Sequence, residues 1–176
     1  MAKVSKQSAE QHAGDAGSAA VVTVIRVVAD SPLPPDRILA AARDFSPRRE
    51  KVFDAVSMKR MKVHSLGDSH ADVTEGTSVG PLGSNWERCK YDWSTPGSVK
   101  APVRDSNVYD PKGSSWEIIA TPSNGGSHVE MTWTRRFKHS PRGLLFGTVY
   151  RTIGKPIFSR YGRDILAKMA ETEEPA

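Results

Sequence analysis

The feature that most constrains the fold is a run of apolar residues, spaced four apart, near the end of the chain. Its members are Leu145, Val149, Ile153, Ile157, Tyr161, Ile165 and Met169. Because four residues is close to one helical turn, the run predicts a slowly spiralling stripe on one long helix over 142–169. Gly154 and Pro156 lie near its middle, and proline removes a backbone donor, so we expect a bend or a break there. A helix roughly 40 Å long with this much apolar surface needs a large partner.

The bulk composition indicates one soluble globular domain. The 176 residues are 38% hydrophobic and 26% charged, which are ordinary proportions for a chain that buries one core. Residues 1–19 lack a continuous apolar stretch, so we expect a disordered leader there, a single domain over 20–172 and a short tail over 173–176. Cys89 is the only cysteine. This excludes an intrachain disulfide framework and favours a reducing compartment, so the predicted location is cytoplasmic.

Positive charge is concentrated on the predicted long helix. Between positions 142 and 170 the only acidic residue is Asp164, and the local charge of +5 equals that of the whole chain. The basic residues there are Arg142, Arg151, Lys155, Arg160, Arg163 and Lys168. They form either a solvated outer face or a surface for an acidic membrane or an anionic ligand. Nucleic acid is not a predicted partner, since no helix-turn-helix, zinc-finger or ribonucleoprotein motif accompanies the charge.

Most of the remaining chain is predicted to form strands. Runs of β-branched residues and of alternating polarity indicate strands at 20–29, 60–66, 71–77, 86–93, 99–108, 115–121 and 128–138. Two short helices, 36–43 and 48–56, follow the first strand. Pro102 places its strand toward an edge or a bulge. Six consecutive strands with short turns predict an antiparallel sheet that the first strand can join, covered by the long helix, which is an α+β fold.

Four parts of the chain together resemble one known superfamily. They are the first strand with the helix 35–44, VTEGT at 73–77, the paired strands SWEIIATPSNGGSHVEMTWTRRF at 115–137, and the long terminal helix. The resemblance spans residues 20–169 and is to the START and polyketide-cyclase (SRPBCC) superfamily, whose fold is called helix-grip or Bet v 1-like. It implies a curved antiparallel sheet of about seven strands wrapped on the C-terminal helix, with a ligand cavity between them.

The side chains in phase with the apolar faces are the candidates for lining that cavity. They are Met61, Val63, Cys89, Tyr91, Trp116, Met131, Trp133, Tyr150, Ile153 and Ile157. As a set they are rich in Trp, Tyr and Met, which suits a pocket for a flat or flexible apolar molecule. The alternative is that they fill a solid core.

Polar residues in phase with the same faces are the candidates for chemistry, because an inward charge is costly unless it is paired or used. Glu75 shares a face with Val73, and Arg135 shares a face with Trp133. The two either pair with each other or meet a ligand, unless Arg135 reaches water at the strand end. Tyr91 is a candidate donor to a ligand carbonyl. No histidine has metal-ligand spacing and no glycine-rich phosphate loop occurs, so we predict neither a metal nor a cofactor.

Three functions are consistent with these features. The first is binding of a small hydrophobic or aromatic molecule, lipid-like or polyketide-like, between sheet and helix. The second, implied by the resemblance, is a polyketide cyclase or aromatase with Glu75, Tyr91 and Arg135 as candidate catalytic residues. The third is docking to acidic membranes through the basic helix face. The sequence does not fix the ligand or the oligomeric state.

Overall fold

The computed structural model describes residues 22–78 and 83–172. The predicted leader over 1–19 and the tail over 173–176 therefore lie outside the described residues.

Seven strands form one antiparallel sheet. They are β1 Val22–Ser31, β2 Lys62–Leu66, β3 His70–Ser78, β4 Ser84–Asp92, β5 Ser98–Ser106, β6 Ser115–Ser123 and β7 Gly126–Arg136. Their order across the sheet is β1-β7-β6-β5-β4-β3-β2, so the first strand joins the last, and β1 and β2 are the two edges. The predicted strand number and the predicted pairing of β6 with β7 are both confirmed.

Three α-helices complete the predicted order. They are α1 Pro35–Ala42, α2 Arg48–Val52 and α3 Pro141–Glu171, and a short 3-10 helix covers 58–60. Pro35 stands in the first turn of α1, where its missing N–H is not needed. Helix α2 is four residues shorter than predicted, because the chain leaves the helical conformation at Phe53. The fold is thus α+β, with the elements in the order expected from the sequence.

Helix α3 is continuous over 31 residues, with Pro156 inside it. The predicted break is therefore wrong, while a bend at this position stays a prediction. Because Pro156 has no N–H, the carbonyl of Thr152, four residues earlier, has no helical hydrogen-bond donor. Both residues lie on the exposed side of the helix, so water can bind this carbonyl. On the opposite side, Gly162 lies against β1, where an added Cβ would come 3.0 Å from Val27 Cγ1. No helix in the described ranges is long and apolar enough to cross a membrane.

The sheet order corrects one alternative of one expectation about individual strands and the whole of another. Strand β5 lies inside the sheet, between β4 and β6, so Pro102 does not mark an edge. The pairing of β4 with β5 instead shifts between Arg88 and Cys89, which agrees with the alternative of a bulge. All five residues of β2 are exposed. Val63, expected to point inward, is 39% exposed, because β2 is an edge strand and α3 packs on the other edge, against β1.

Candidate functional site

A cavity of about 390 Å³ lies between the sheet and α3. Its wall includes side chains from β3, β4, β6 and β7, from α3, and from α2 and the residues that follow it. Half of the ten residues expected to line such a cavity do so, and these are Trp116, Met131, Trp133, Tyr150 and Ile157. Of the candidate catalytic residues, Glu75 and Arg135 also line it.

The other five expected residues lie elsewhere. Cys89 and Tyr91 are buried in the core without lining the cavity, and Met61 is half-buried at the core's margin. Val63 is on the exposed edge strand, as described above. Ile153 is 50% exposed, because steps of four residues turn a stripe by about 40° each around the helix.

Gly154 occupies the inward position next to Ile153. It is buried and lines the cavity. A Cβ at this position would come 3.0 Å from Ile25 Cδ1 on β1. The helix therefore approaches the sheet at a residue without a side chain, and the apolar run at four-residue spacing does not mark the whole inward face.

Aromatic rings from β7 and α3 form an apolar part of the cavity wall. The Phe158 ring lies 5.0 Å from the Trp133 ring and 5.0 Å from the Tyr150 ring, centroid to centroid. The Tyr161 ring packs against those of Trp133 and Phe158. Tilted and edge-to-face pairs of this kind are favourable arrangements of aromatic rings. This wall suits a flat apolar molecule.

Two groups of polar side chains face the same cavity. The first, which we call the Arg49 network, consists of Arg49 and Glu75, which line the cavity, and Tyr91, which lies behind them in the core. The Arg49 side chain is buried; its Nε donates to Glu75 Oε1 and its Nη2 donates to the Tyr91 hydroxyl at 2.9 Å. The Tyr91 hydroxyl in turn donates to Glu75 Oε2. Glu75 therefore pairs with Arg49, and a pair between Glu75 and Arg135, one of the alternatives that the sequence left open, does not form.

The Arg49 network is saturated by its own partners. Nη1 of Arg49 donates to the carbonyls of Ala42 at 3.0 Å and Asp44 at 3.2 Å, and the guanidinium lies 4.6 Å from the centre of the Phe53 ring. Burial acts to lower the Arg49 pKa, but the charge and hydrogen bond of Glu75 outweigh it, and the pKa is raised. Burial raises the Tyr91 pKa well above its ordinary value. These groups hold α2 to the sheet and leave little capacity for a ligand.

The second group, which we call the Arg135 cluster, consists of Asn85, Glu87, Tyr109, Arg135 and Tyr150. All five line the cavity. Arg135 is 4% exposed, so it does not reach water at the strand end; its Nη2 donates to Glu87 Oε1 at 3.1 Å, and its guanidinium lies 4.5 Å from the centre of the Tyr109 ring. Asn85 Nδ2 donates to the Tyr109 hydroxyl at 3.1 Å, and that hydroxyl shares a 2.7 Å hydrogen bond with Tyr150.

Unlike the Arg49 network, the Arg135 cluster is not saturated. Four of its buried atoms have no hydrogen-bond partner within residues 22–78 and 83–172, namely Nε and Nη1 of Arg135, Oε2 of Glu87 and Oδ1 of Asn85. A buried polar group without a partner costs about 1–3 kcal/mol. Two donors and two acceptors are thus available together at the wall of an apolar cavity.

Burial sets the protonation of this cluster. It is the main cause that raises the pKa of the Glu87 carboxyl, and the charge of Glu75 adds to it while Arg135 opposes it. Burial would lower the Arg135 pKa, but Glu87 and the two tyrosines raise it above its ordinary value. Burial also raises the pKa values of Tyr109 and Tyr150. Both phenols are therefore neutral near pH 7, and one of their two hydroxyl protons lies in the hydrogen bond between them.

Replacing Glu87 with glutamine is expected to change how stability depends on pH. Because the folded protein holds the Glu87 proton more tightly than the unfolded chain, the carboxyl makes stability fall as pH rises from its ordinary pKa of 4.5 through the raised value. The E87Q variant has no such proton, so the free energy of unfolding of wild type minus that of E87Q should fall across this window. Urea unfolding at a series of pH values measures it.

The matched control for this prediction is Glu117→Gln. Glu117 alternates with the buried Trp116 and Ile118 on β6 and so lies on the outer face of the sheet. The decrease expected for wild type minus E87Q should exceed any change in wild type minus E117Q across the same window. Equal pH dependence for E87Q and E117Q would contradict the assigned role of burial at Glu87.

Several residues of the site were missed by reading the sequence. Glu87 is in phase with Cys89 and Tyr91 on β4, so the alternation that selected those two also marks Glu87. Arg49 precedes Val52 by three positions and Phe53 by four, which places it on the apolar side of its helix.

Tyr109 gave no such signal. It follows the end of β5 in an irregular segment and reaches the site through an isolated bridge to Phe137. No local periodicity applies to a residue in such a position.

Comparison with known proteins extends the description of the fold. No family model and no curated protein sequence matches the chain. Among solved structures, TTHA0849 from Thermus thermophilus is 11% identical, with a TM-score of 0.69 over 86% of this chain and 100% of its own. The Zhui aromatase/cyclase from Streptomyces sp. R1128 is 10% identical, with a TM-score of 0.67 over 88% and 97%. A START superfamily protein from Mycobacterium smegmatis is 9% identical, with a TM-score of 0.58 over 80% and 95%.

These likenesses confirm the predicted fold. The chain has the helix-grip fold shared by START, aromatase/cyclase and Bet v 1-like structures, with a seven-stranded antiparallel sheet and a long C-terminal helix. At such low identity the shared fold does not carry an activity with it. Function has to be argued from the cavity and its side chains.

Proposed function

We propose that the protein binds a small, largely apolar or aromatic molecule that carries an oxygen-containing polar end. The proposal rests on one observation. Among the described residues, four buried polar atoms of the Arg135 cluster have no hydrogen-bond partner, and they lie in the wall of an otherwise apolar, aromatic cavity. A volume of about 390 Å³ lies within the range of small-molecule sites, roughly 300–1,000 Å³. The apolar body supplies affinity and the polar end fixes orientation.

The unpaired atoms define what the polar end offers. Nε and Nη1 of Arg135 are donors, so they bind a carbonyl or other acceptor oxygen. Oε2 of Glu87 and Oδ1 of Asn85 are acceptors, so they bind a hydroxyl. A molecule with ketone and hydroxyl oxygens at one end satisfies both kinds of atom, whereas a hydrocarbon of the same shape satisfies neither.

Filling the cavity tests this proposal. Val149 lines the cavity from α3, and Thr152 is exposed on the same helix. We expect V149W to lower the affinity for the model ligand 2-acetylnaphthalene by about tenfold or more, since the ring takes ligand space, while T152W leaves the affinity unchanged. Calorimetric titration of the folded variants measures both, and retention of wild-type affinity by V149W would contradict a ligand site in this cavity.

A second candidate function is cyclisation of a poly-ketone chain by aldol closure and dehydration. The observation that favours it is the ion pair between Glu87 and Arg135 at the cavity wall. Glu87 can take the proton from carbon next to one ketone while Arg135 stabilises the enolate oxygen. The enolate carbon then bonds to a second carbonyl carbon, whose oxygen takes the proton held by Glu87, and the resulting hydroxyl leaves as water together with a hydrogen from the adjacent carbon. One of the similar folds above belongs to a protein called an aromatase/cyclase.

Product formation separates these two candidates. For a cyclase, wild type converts a poly-ketone analogue, and E87Q loses about 10²-fold or more in rate while still binding the analogue. For a carrier, wild type binds the analogue and returns it unchanged.

A further inference from the structure

Helix α3 carries an exposed apolar surface beside the cavity. Leu145 is 45% exposed, Ile153 is 50% exposed and Ile157 is 49% exposed. At 100° per residue these three side chains span an arc of about 120° on the helix. Contiguous apolar patches on a protein surface are frequent sites of contact with a partner or a membrane.

Ile157 connects this surface to the ligand site. It lines the cavity and is also half exposed to solvent. The wall that α3 provides is therefore one side chain thick at this point. A surface that covers Ile157 from outside is in direct contact with the boundary of the cavity.

Basic side chains lie both within the apolar arc and outside it, since at 100° per residue Arg163 and Arg160 fall at its start and its middle, whereas Arg151 and Lys155 fall outside it. Arg151, Lys155, Arg160 and Arg163 are all exposed on α3. The only acidic residue of the helix before its final turn, Asp164, lies 3.7 Å from Arg160 as an exposed pair. The outer face of α3 thus combines aliphatic side chains with a net positive charge, which is the pattern of helices that lie in the interface of an anionic membrane.

We propose that this face of α3 docks on an anionic lipid surface, with Leu145, Ile153 and Ile157 entering the headgroup region. Charge complementarity favours this occupant over a second copy of the chain, because pairing two such faces would bring the basic side chains of both together. The docking extends the proposed function, since an apolar ligand then exchanges between membrane and cavity without crossing water.

Co-sedimentation with lipid vesicles tests the proposal. Ile153 lies outside the cavity wall, so Ile153→Glu changes the docking face without changing the ligand site. Val24 on β1 is 60% exposed and its replacement, Val24→Glu, is the matched control. We expect wild type and V24E to bind phosphatidylcholine vesicles that contain phosphatidylglycerol about tenfold or more tightly than vesicles of phosphatidylcholine alone. The I153E variant should lose binding to the anionic vesicles. High salt should weaken the binding of wild type to them.

Three results would overturn the proposal. The first is equal binding of I153E and V24E to the anionic vesicles, and the second is equal binding of wild type to anionic and neutral vesicles. The third is self-association of wild type in sedimentation equilibrium that I153E abolishes, because a second copy would then cover the face. Binding of 2-acetylnaphthalene in solution by I153E is a separate readout, so loss of docking and loss of the proposed ligand site are distinguishable.

Discussion

Replacing Arg49 with methionine is expected to lower the free energy of unfolding by about 3–5 kcal/mol. The reason is that the variant keeps a buried carboxylate, Glu75, 8% exposed, after removing the cation that neutralises it. The carbonyls of Ala42 and Asp44 lose their donor as well. Because methionine fills most of the space of the arginine side chain, the loss of stability comes mainly from the unpaired polar groups and little from a new void. Urea denaturation at neutral pH measures it.

A second substitution distinguishes charge from packing. In the double variant with Arg49→Met and Glu75→Gln, no unpaired carboxylate remains, and we expect much of the lost stability to return. Lys51→Met is the control, because Lys51 is exposed on the same helix and its loss should change stability by less than about 0.5 kcal/mol. If R49M were no less stable than K51M, or if the double variant were no better than R49M, the role given to the Arg49 network would be wrong.

Replacing Arg135 with lysine is expected to remove the selectivity of the cavity for an oxygen-bearing ligand. Wild type should bind 2-acetylnaphthalene about 10²-fold more tightly than 2-ethylnaphthalene, which has the same shape without the ketone, because a site built for hydrogen bonds discriminates strongly against an analogue that lacks them. Lysine keeps the positive charge beside Glu87 but lacks the planar fork that places Nε and Nη1 at the cavity. The ratio of the two affinities in the variant should fall toward one.

Arg136→Lys is the control for this comparison. Arg136 is adjacent in sequence but pairs with Asp110 away from the cavity wall. Its variant should keep the wild-type ratio of affinities, measured by calorimetric titration. An unchanged ratio of affinities in R135K would mean that Arg135 does not bind the polar end of the ligand. The proposed recognition of that polar end would then be wrong, even if the cavity still bound apolar molecules.

Much of the fold was predictable because its signals are local. The seven strands follow from alternation and from β-branched runs, and the long helix follows from its apolar spacing. The position of an element in the sheet is not local. Nothing in the alternation of 60–66 shows that it becomes the edge strand farthest from β1, so Val63 was expected to face inward and is exposed.

The site was only partly predictable for a related reason. Periodicity selects the face on which a residue lies, and it selected Trp116, Trp133, Glu75 and Arg135 among the residues that line the cavity. It does not select partners. Glu75 meets Arg49 from a helix 26 positions earlier in the chain, and Arg135 meets Glu87 from a strand 48 positions earlier. Such pairs form only when the sheet and helices pack, which is why the sequence left the partners of Glu75 and Arg135 open.

Two of the buried glycines of α3, those that face β1, determine how much room the ligand has. At Gly154 and Gly162 an added Cβ would come 3.0 Å from Ile25 and from Val27 of β1, a separation that side chains rarely tolerate. Contact between backbone and strand at these points therefore fixes the height of the helix above the sheet. The height of the cavity is therefore set by two residues that have no side chain. Any larger residue at either position would push the helix away from the sheet. The largest ligand that fits thus depends on these two glycines as well as on the aromatic wall.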